Sequence, residues 1–161
     1  MSIIVIFVVF LISVSAHTGK IIDASEGYTA PAFTIDNGDI AVSLAGMKGK
    51  YVLLTLWASS DASSRIACNE YTAYARSIEN EGKQFCHLSV NFDRSEKLFR
   101  ELVKKDGLDA KTQFYAQDEA VLMFKQNYHL EEGFQSFLID PHGKVIAKNP
   151  SAESLTQILS H

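Results

Sequence analysis

The apolar positions of this chain fall into two dense runs and a series of periodic segments. One run, Ile3 to Ile12, lies at the start. The other, Tyr51-Val52-Leu53-Leu54-Thr55-Leu56-Trp57, is broken only by a threonine. It follows the polar turn Gly46 to Lys50, and its length and flanks predict a strand covered on both faces. After Ser59-Ser60-Asp61, three residues that favour a helix N-cap, the period changes. Ala67, Tyr71, Tyr74, Ala75 and Ile78 recur at helical spacing, and Gly82 marks the exit. Phe85 to Phe92 predicts a second buried strand. Asp93-Arg94-Ser95-Glu96 has the form of a capping box and opens a helix with the stripe Leu98, Phe99, Leu102 and Val103. Ala120, Val121 and Phe124 mark a third helix.

Two hairpins flank these elements. Phe33, Ile35, Ile40, Val42 and Leu44 surround the turn Asp36-Asn37-Gly38-Asp39, and Gln135 to Ile139 and Lys144 to Lys148 surround Asp140-Pro141-His142-Gly143. Ser151 caps a last helix with Leu155, Ile158 and Leu159 inward. The predicted order is hairpin, strand, helix, strand, helix, helix, hairpin, helix. This is an α/β domain whose strand–helix–strand unit is parallel and right-handed.

The first apolar run needs a different explanation. A bilayer-spanning helix takes roughly 20 apolar residues, so this run is short for one. Its length suits a signal-peptide core, and Val14-Ser15-Ala16 offers small residues for cleavage after Ala16. No Lys or Arg precedes the run, which leaves an uncleaved anchor or a buried N-terminal strand as alternatives. The expected organisation is therefore a leader over 1–16, a polar linker over 17–29 and one domain over 30–161. A chain of 161 residues accommodates one core and no second.

Composition narrows the function classes. Apolar residues make up 47% and charged residues 21%, which argues against wholesale disorder. The net charge of −4 and the scattered lysines and arginines give no footprint for nucleic acid. No Ser-His-Asp set, phosphate-cradling glycine loop or paired-carboxylate signature is present. Cys86 and His87 are neighbours on a strand and so point to opposite faces, which argues against a metal site. His129 and His142 fall in or near turns, where solvation is expected. Neither a metal nor a cofactor is expected.

Three stretches together resemble the thioredoxin superfamily, in its TlpA-like and redoxin-type branch of envelope thiol-disulfide oxidoreductases. Ala30-Pro31-Ala32-Phe33, followed by Leu44-Ala45-Gly46-Met47-Lys48-Gly49-Lys50-Tyr51-Val52-Leu53-Leu54, resembles that branch's opening hairpin and first central strand. Leu56-Trp57-Ala58-Ser59 is similar to the strand end that leads into the active-site helix. Tyr128-x-Leu130 with Phe137-Leu138-Ile139-Asp140-Pro141-His142-Gly143-Lys144 is similar to the closing hairpin. The resemblance implies a thioredoxin-like three-layer α/β/α sandwich with a mixed sheet and an N-terminal β-hairpin extension. It also implies a periplasmic or otherwise exported protein, held at the inner membrane only through its N-terminal segment if that segment is not cleaved.

The departure lies at the chemistry. Where the family carries C-x-x-C, this chain has Asp61-Ala62-Ser63-Ser64, with Ser60 before and Arg65 after. Where the family places a cis-proline beside the redox pair, this chain has Phe134. A cis bond before a non-proline residue costs about 2.5–4 kcal/mol, so a trans bond is expected. Disulfide exchange needs an attacking thiolate and a resolving thiol, and neither Asp61 nor Ser64 supplies one. These losses point to a non-catalytic protein-binding or accessory module, with Trp57, Ser60, Asp61, Gly133 and Phe134 as its groove and another envelope protein or peptide as partner.

The alternative is a thiol oxidoreductase or peroxidase using Cys68, with or without Cys86. Against it, Asp61 and Arg65 stand where the peroxiredoxin pattern has its Pro and Thr. The two cysteines are also open to a disulfide that would pin the helix to its neighbouring strand. Spacing alone does not show one.

Overall fold

The computed structural model describes residues 21–160, so the reading of residues 1–16 as a leader lies outside the described residues. The elements run β1 (Thr34–Asp36), β2 (Ala41–Ser43), β3 (Tyr51–Trp57), α1 (Ala62–Ile78), β4 (Phe85–Asn91), α2 (Glu96–Lys105), β5 (Gln113–Tyr115), α3 (Asp118–Asn127), β6 (Ser136–Ile139), β7 (Val145–Lys148) and α4 (Ala152–Leu159). β1 and β2 form the antiparallel hairpin. The other five strands make a mixed sheet in the order β5-β4-β3-β6-β7, with β3 parallel to β4, β4 parallel to β5, and β6 and β7 antiparallel. This is the expected thioredoxin-like architecture with its N-terminal hairpin.

β3 explains the continuous apolar run. Val52, Leu54 and Leu56 face one core with Phe33, Phe124, Tyr128 and Phe137. Leu53 and Trp57 face the other side, where Leu53 meets Tyr71 and Leu155 and Trp57 meets Phe99 and Leu102. A strand buried on both faces cannot alternate in polarity. α1, α2 and α4 therefore cover one face of the sheet, and α3 with the hairpin covers the other.

Three features differ from the sequence reading. β5 was not anticipated, and its three residues pair with Ser89, Val90 and Asn91 of β4. Residues 21–29, expected as linker, are part of the packed domain: Ala24 is fully buried, Thr29 bridges to Lys144, and Val145 N–H donates to Tyr28 O at 2.9 Å. α2 begins two residues later than the capping box suggested. Its cap is Ser95, which accepts from Leu98 N–H at 3.2 Å, and Asp93 is left free for another task.

Candidate functional site

The C-terminal end of β3 delivers the chain to α1 through Ala58, Ser59, Ser60 and Asp61. Asp61 is extended (φ −108°, ψ 105°), and its carboxylate accepts from Ser64 N–H at 2.7 Å. It is the N-cap, so the helix pole already holds an anion. Ser64 is buried, donating its hydroxyl to Asp61 O at 3.1 Å and accepting from Ala58 N–H at 3.3 Å. Arg65, the next residue, makes a two-pronged ion pair with Asp106 at the end of α2, Nε to Oδ2 at 2.9 Å and Nη2 to Oδ1 at 2.7 Å. Asp61, Ser64 and Arg65 are thus engaged in capping and bracing. Ala62 and Ser63 are exposed.

Asp93 fixes the approach to this turn. Ser59 donates both its N–H and its hydroxyl to Asp93 Oδ1, each at 2.8 Å, while Asn91 Nδ2 donates to Oδ2 at 3.0 Å. One carboxylate thereby clamps the β3–α1 and β4–α2 connections together. Sequence reasoning missed Asp93 because the nearby Ser95 and Glu96 offered a plausible capping role for it.

On the other side, the register Thr55↔Ser136 continues as Leu56 N–H to Gln135 O at 3.0 Å. That register brings Phe134 and Gly133 alongside Trp57 and Ala58. No cis peptide bond occurs among the described residues, so Phe134 follows a trans bond, as expected. The Phe134 ring packs on Phe92 with centroids 5.8 Å apart. Gly133 has φ 105°, a region that L residues avoid, and lets the chain turn into β6.

Solved structures share this fold. A thioredoxin-like protein from Parabacteroides distasonis is 30% identical over 87% of this chain and 98% of its own, with a TM-score of 0.72. The chain belongs to the thioredoxin-like family. The thioredoxin domain of a thiol-disulfide oxidoreductase from Bacteroides vulgatus is 27% identical over 84% of this chain and 96% of its own (TM-score 0.70). A thiol:disulfide interchange protein from a Bacteroides species is 26% identical over 84% and 88% (TM-score 0.70). No protein-family profile matches the chain, and no curated protein sequence does.

Within this thioredoxin-like frame the other expected residues separate. Ser60 and Gly133 are exposed, and Asp61 and Phe134 are half-buried, so these four are within reach of a partner. Trp57 is not, contrary to expectation. It is fully buried against Phe99, with ring centroids 6.2 Å apart, because α2 covers the end of β3. Cys68 is also fully buried, and its single S–H lies within reach of two acceptors, Ser89 Oγ at 3.5 Å and Gln113 Oε1 at 3.7 Å. Burial pushes that thiol up to about 11, the reverse of the shift that activates a cysteine. Cys86 is half-buried and likewise raised by burial. Both thiols are free, and the expected option of a disulfide fails on topology. Cys68 packs on the α1 side of the sheet and Cys86 on the α3 side.

His129 also differs from expectation. Instead of being solvated it is half-buried, with Nε2 3.3 Å from Asp23 Oδ2, and it ties residues 21–29 to the loop before β6. His142 is exposed, as expected, in a turn held by Asp140.

Proposed function

We propose that the protein is a non-catalytic thioredoxin-like module of the bacterial envelope that binds another envelope protein or peptide. The contact surface is the edge formed by Ser60, Asp61, Gly133 and Phe134. The observation that carries this reading is the start of α1. A capping carboxylate and a buried, doubly bonded hydroxyl stand where thiol exchange needs a nucleophile and a resolving thiol. Neither group forms a bond to sulfur under exchange conditions. The scaffold around them is intact, and the approach is braced by Asp93 and by Arg65–Asp106.

The test is reduction of insulin disulfides by the purified protein in the presence of dithiothreitol. The expected result is no acceleration over dithiothreitol alone, with a gain of activity in the double variant D61C/S64C. That gain would show that the scaffold still presents this position to substrate. Acceleration by the unaltered protein would overturn the reading.

A further inference from the structure

Away from the start of α1, the N-terminal hairpin and α3 enclose a concave surface. It is a groove of about 790 Å³ between β1 and the start of α3, and Tyr115 and Gln117 lead from it into a smaller cavity of about 140 Å³ beside Glu96. The backbone of β1 runs along it. Leu44 N–H donates to Phe33 O and Asn37 N–H to Ile40 O, both at 3.1 Å, so these pairs bracket the β1–β2 ladder. Bonded pairs alternate along an antiparallel ladder. Ile35 is therefore the residue bonded to Val42, and Thr34 and Asp36 aim their N–H and C=O groups at the outer edge. Among the described residues no backbone partner meets them there. An unpaired edge of this kind is a template for an added strand.

The larger groove is lined by charge of one sign, while in the smaller cavity Arg100 is paired with Glu96. Asp36, Asp118 and Glu119 line the larger groove, and no Lys, Arg or His does. Tyr115 senses the same field: its phenol is raised above the ordinary value first by burial and then by Glu96, Asp118 and Asp93. The carboxylates are strung out rather than focused, since among the described residues no three His, Cys, Asp or Glu side chains gather as a metal site would require. Spread negative charge beside a free strand edge suits an extended chain with several cationic side chains rather than a single ion.

We propose that this groove docks an extended basic segment of a partner protein, which adds to β1 as a further strand and places Lys or Arg side chains against Asp36, Asp118 and Glu119. The surface is separate from the α1 end, so the proposal stands or falls independently of the accessory-module reading. The probe is a synthetic octapeptide of alternating lysine and valine. It is compared with a glutamate–valine counterpart and with a lysine–valine peptide N-methylated at alternate residues, using calorimetry and amide exchange on the full protein. The lysine–valine peptide should bind, slow the exchange of Thr34 and Asp36, and lose about tenfold in affinity to the D118N/E119Q variant. Both control peptides should bind more weakly. Equal binding of all three peptides, unchanged affinity in the variant, or protection confined to amides outside β1 would each overturn the proposal.

Discussion

His87 carries the sharpest chemical consequence of any single residue in the fold. It is buried in the layer between the sheet and α1, where its Nε2 lies 3.1 Å from both Thr55 Oγ1 and Ser89 Oγ and its ring meets the edge of Tyr71. Ser136 extends the network to Thr55, and Cys68 and Gln113 extend it from Ser89. Hydroxyls satisfy a neutral imidazole well, but no carboxylate stands in this network to pair with a cation. Burial accordingly pushes the His87 pKa down to about 3. In the unfolded chain it returns to about 6.5, so between these values the unfolded state binds the extra proton. The stability due to a neutral His87 is therefore complete above about pH 6.5 and is lost as pH falls toward 3. The loss should be on the order of 3 kcal/mol by pH 4. Urea midpoints measured from pH 7.5 to 4 should fall more steeply for the unaltered protein than for His87→Gln, which cannot titrate. Parallel profiles would mean that His87 is not held neutral.

At the scale of elements, the start of α1 makes the clearest prediction. Asp61→Ala removes the acceptor of Ser64 N–H and should cost about 1 kcal/mol. Asp61→Asn, which keeps an acceptor, should lose much less. Thermal melts of the two variants check this, and equal losses would show that charge rather than capping is what Asp61 contributes. The helix itself was legible in the sequence because its cap, period and exit glycine agree, and β3 and β4 were legible because burial on both faces writes a continuous apolar run. β5 was not, for a physical reason. Gln113, Phe114 and Tyr115 are too few to show a period, and their extended form is set by pairing with β4, from Thr112 O accepting Ser89 N–H to Asn91 O accepting Ala116 N–H. The site shows the same split. Asp61 and Ser64 were readable from local pattern, whereas the burial of Trp57 depends on α2 and the clamp by Asp93 depends on Ser59, a residue distant in sequence. Such contacts leave no local trace.

On the scale of the whole molecule, the question is what holds the N-terminal hairpin to the sheet, since β1 and β2 pair with each other and not with the five-stranded sheet. Phe33 and Ile35 enter the α3-side core, and Asn37 Nδ2 donates to Ala110 O at 3.1 Å on the exposed rim. The deepest tie is Tyr128. It is fully buried among Phe33, Phe124 and Phe137, and its hydroxyl donates to Pro31 O at 2.6 Å across 97 residues of sequence. Tyr128→Phe keeps the ring and leaves Pro31 O without its partner in a buried setting, which should cost about 1–2 kcal/mol. Because the lost bond joins the hairpin to the rest, the effect should be uneven. Amides such as Leu44, whose bonds lie within the hairpin, should exchange faster by a larger factor than those of β3 and β4, which open only with the whole sheet. If hairpin and sheet amides accelerate equally, the hairpin unfolds only with the domain. The groove beside β1 would then be as rigid as the core behind it.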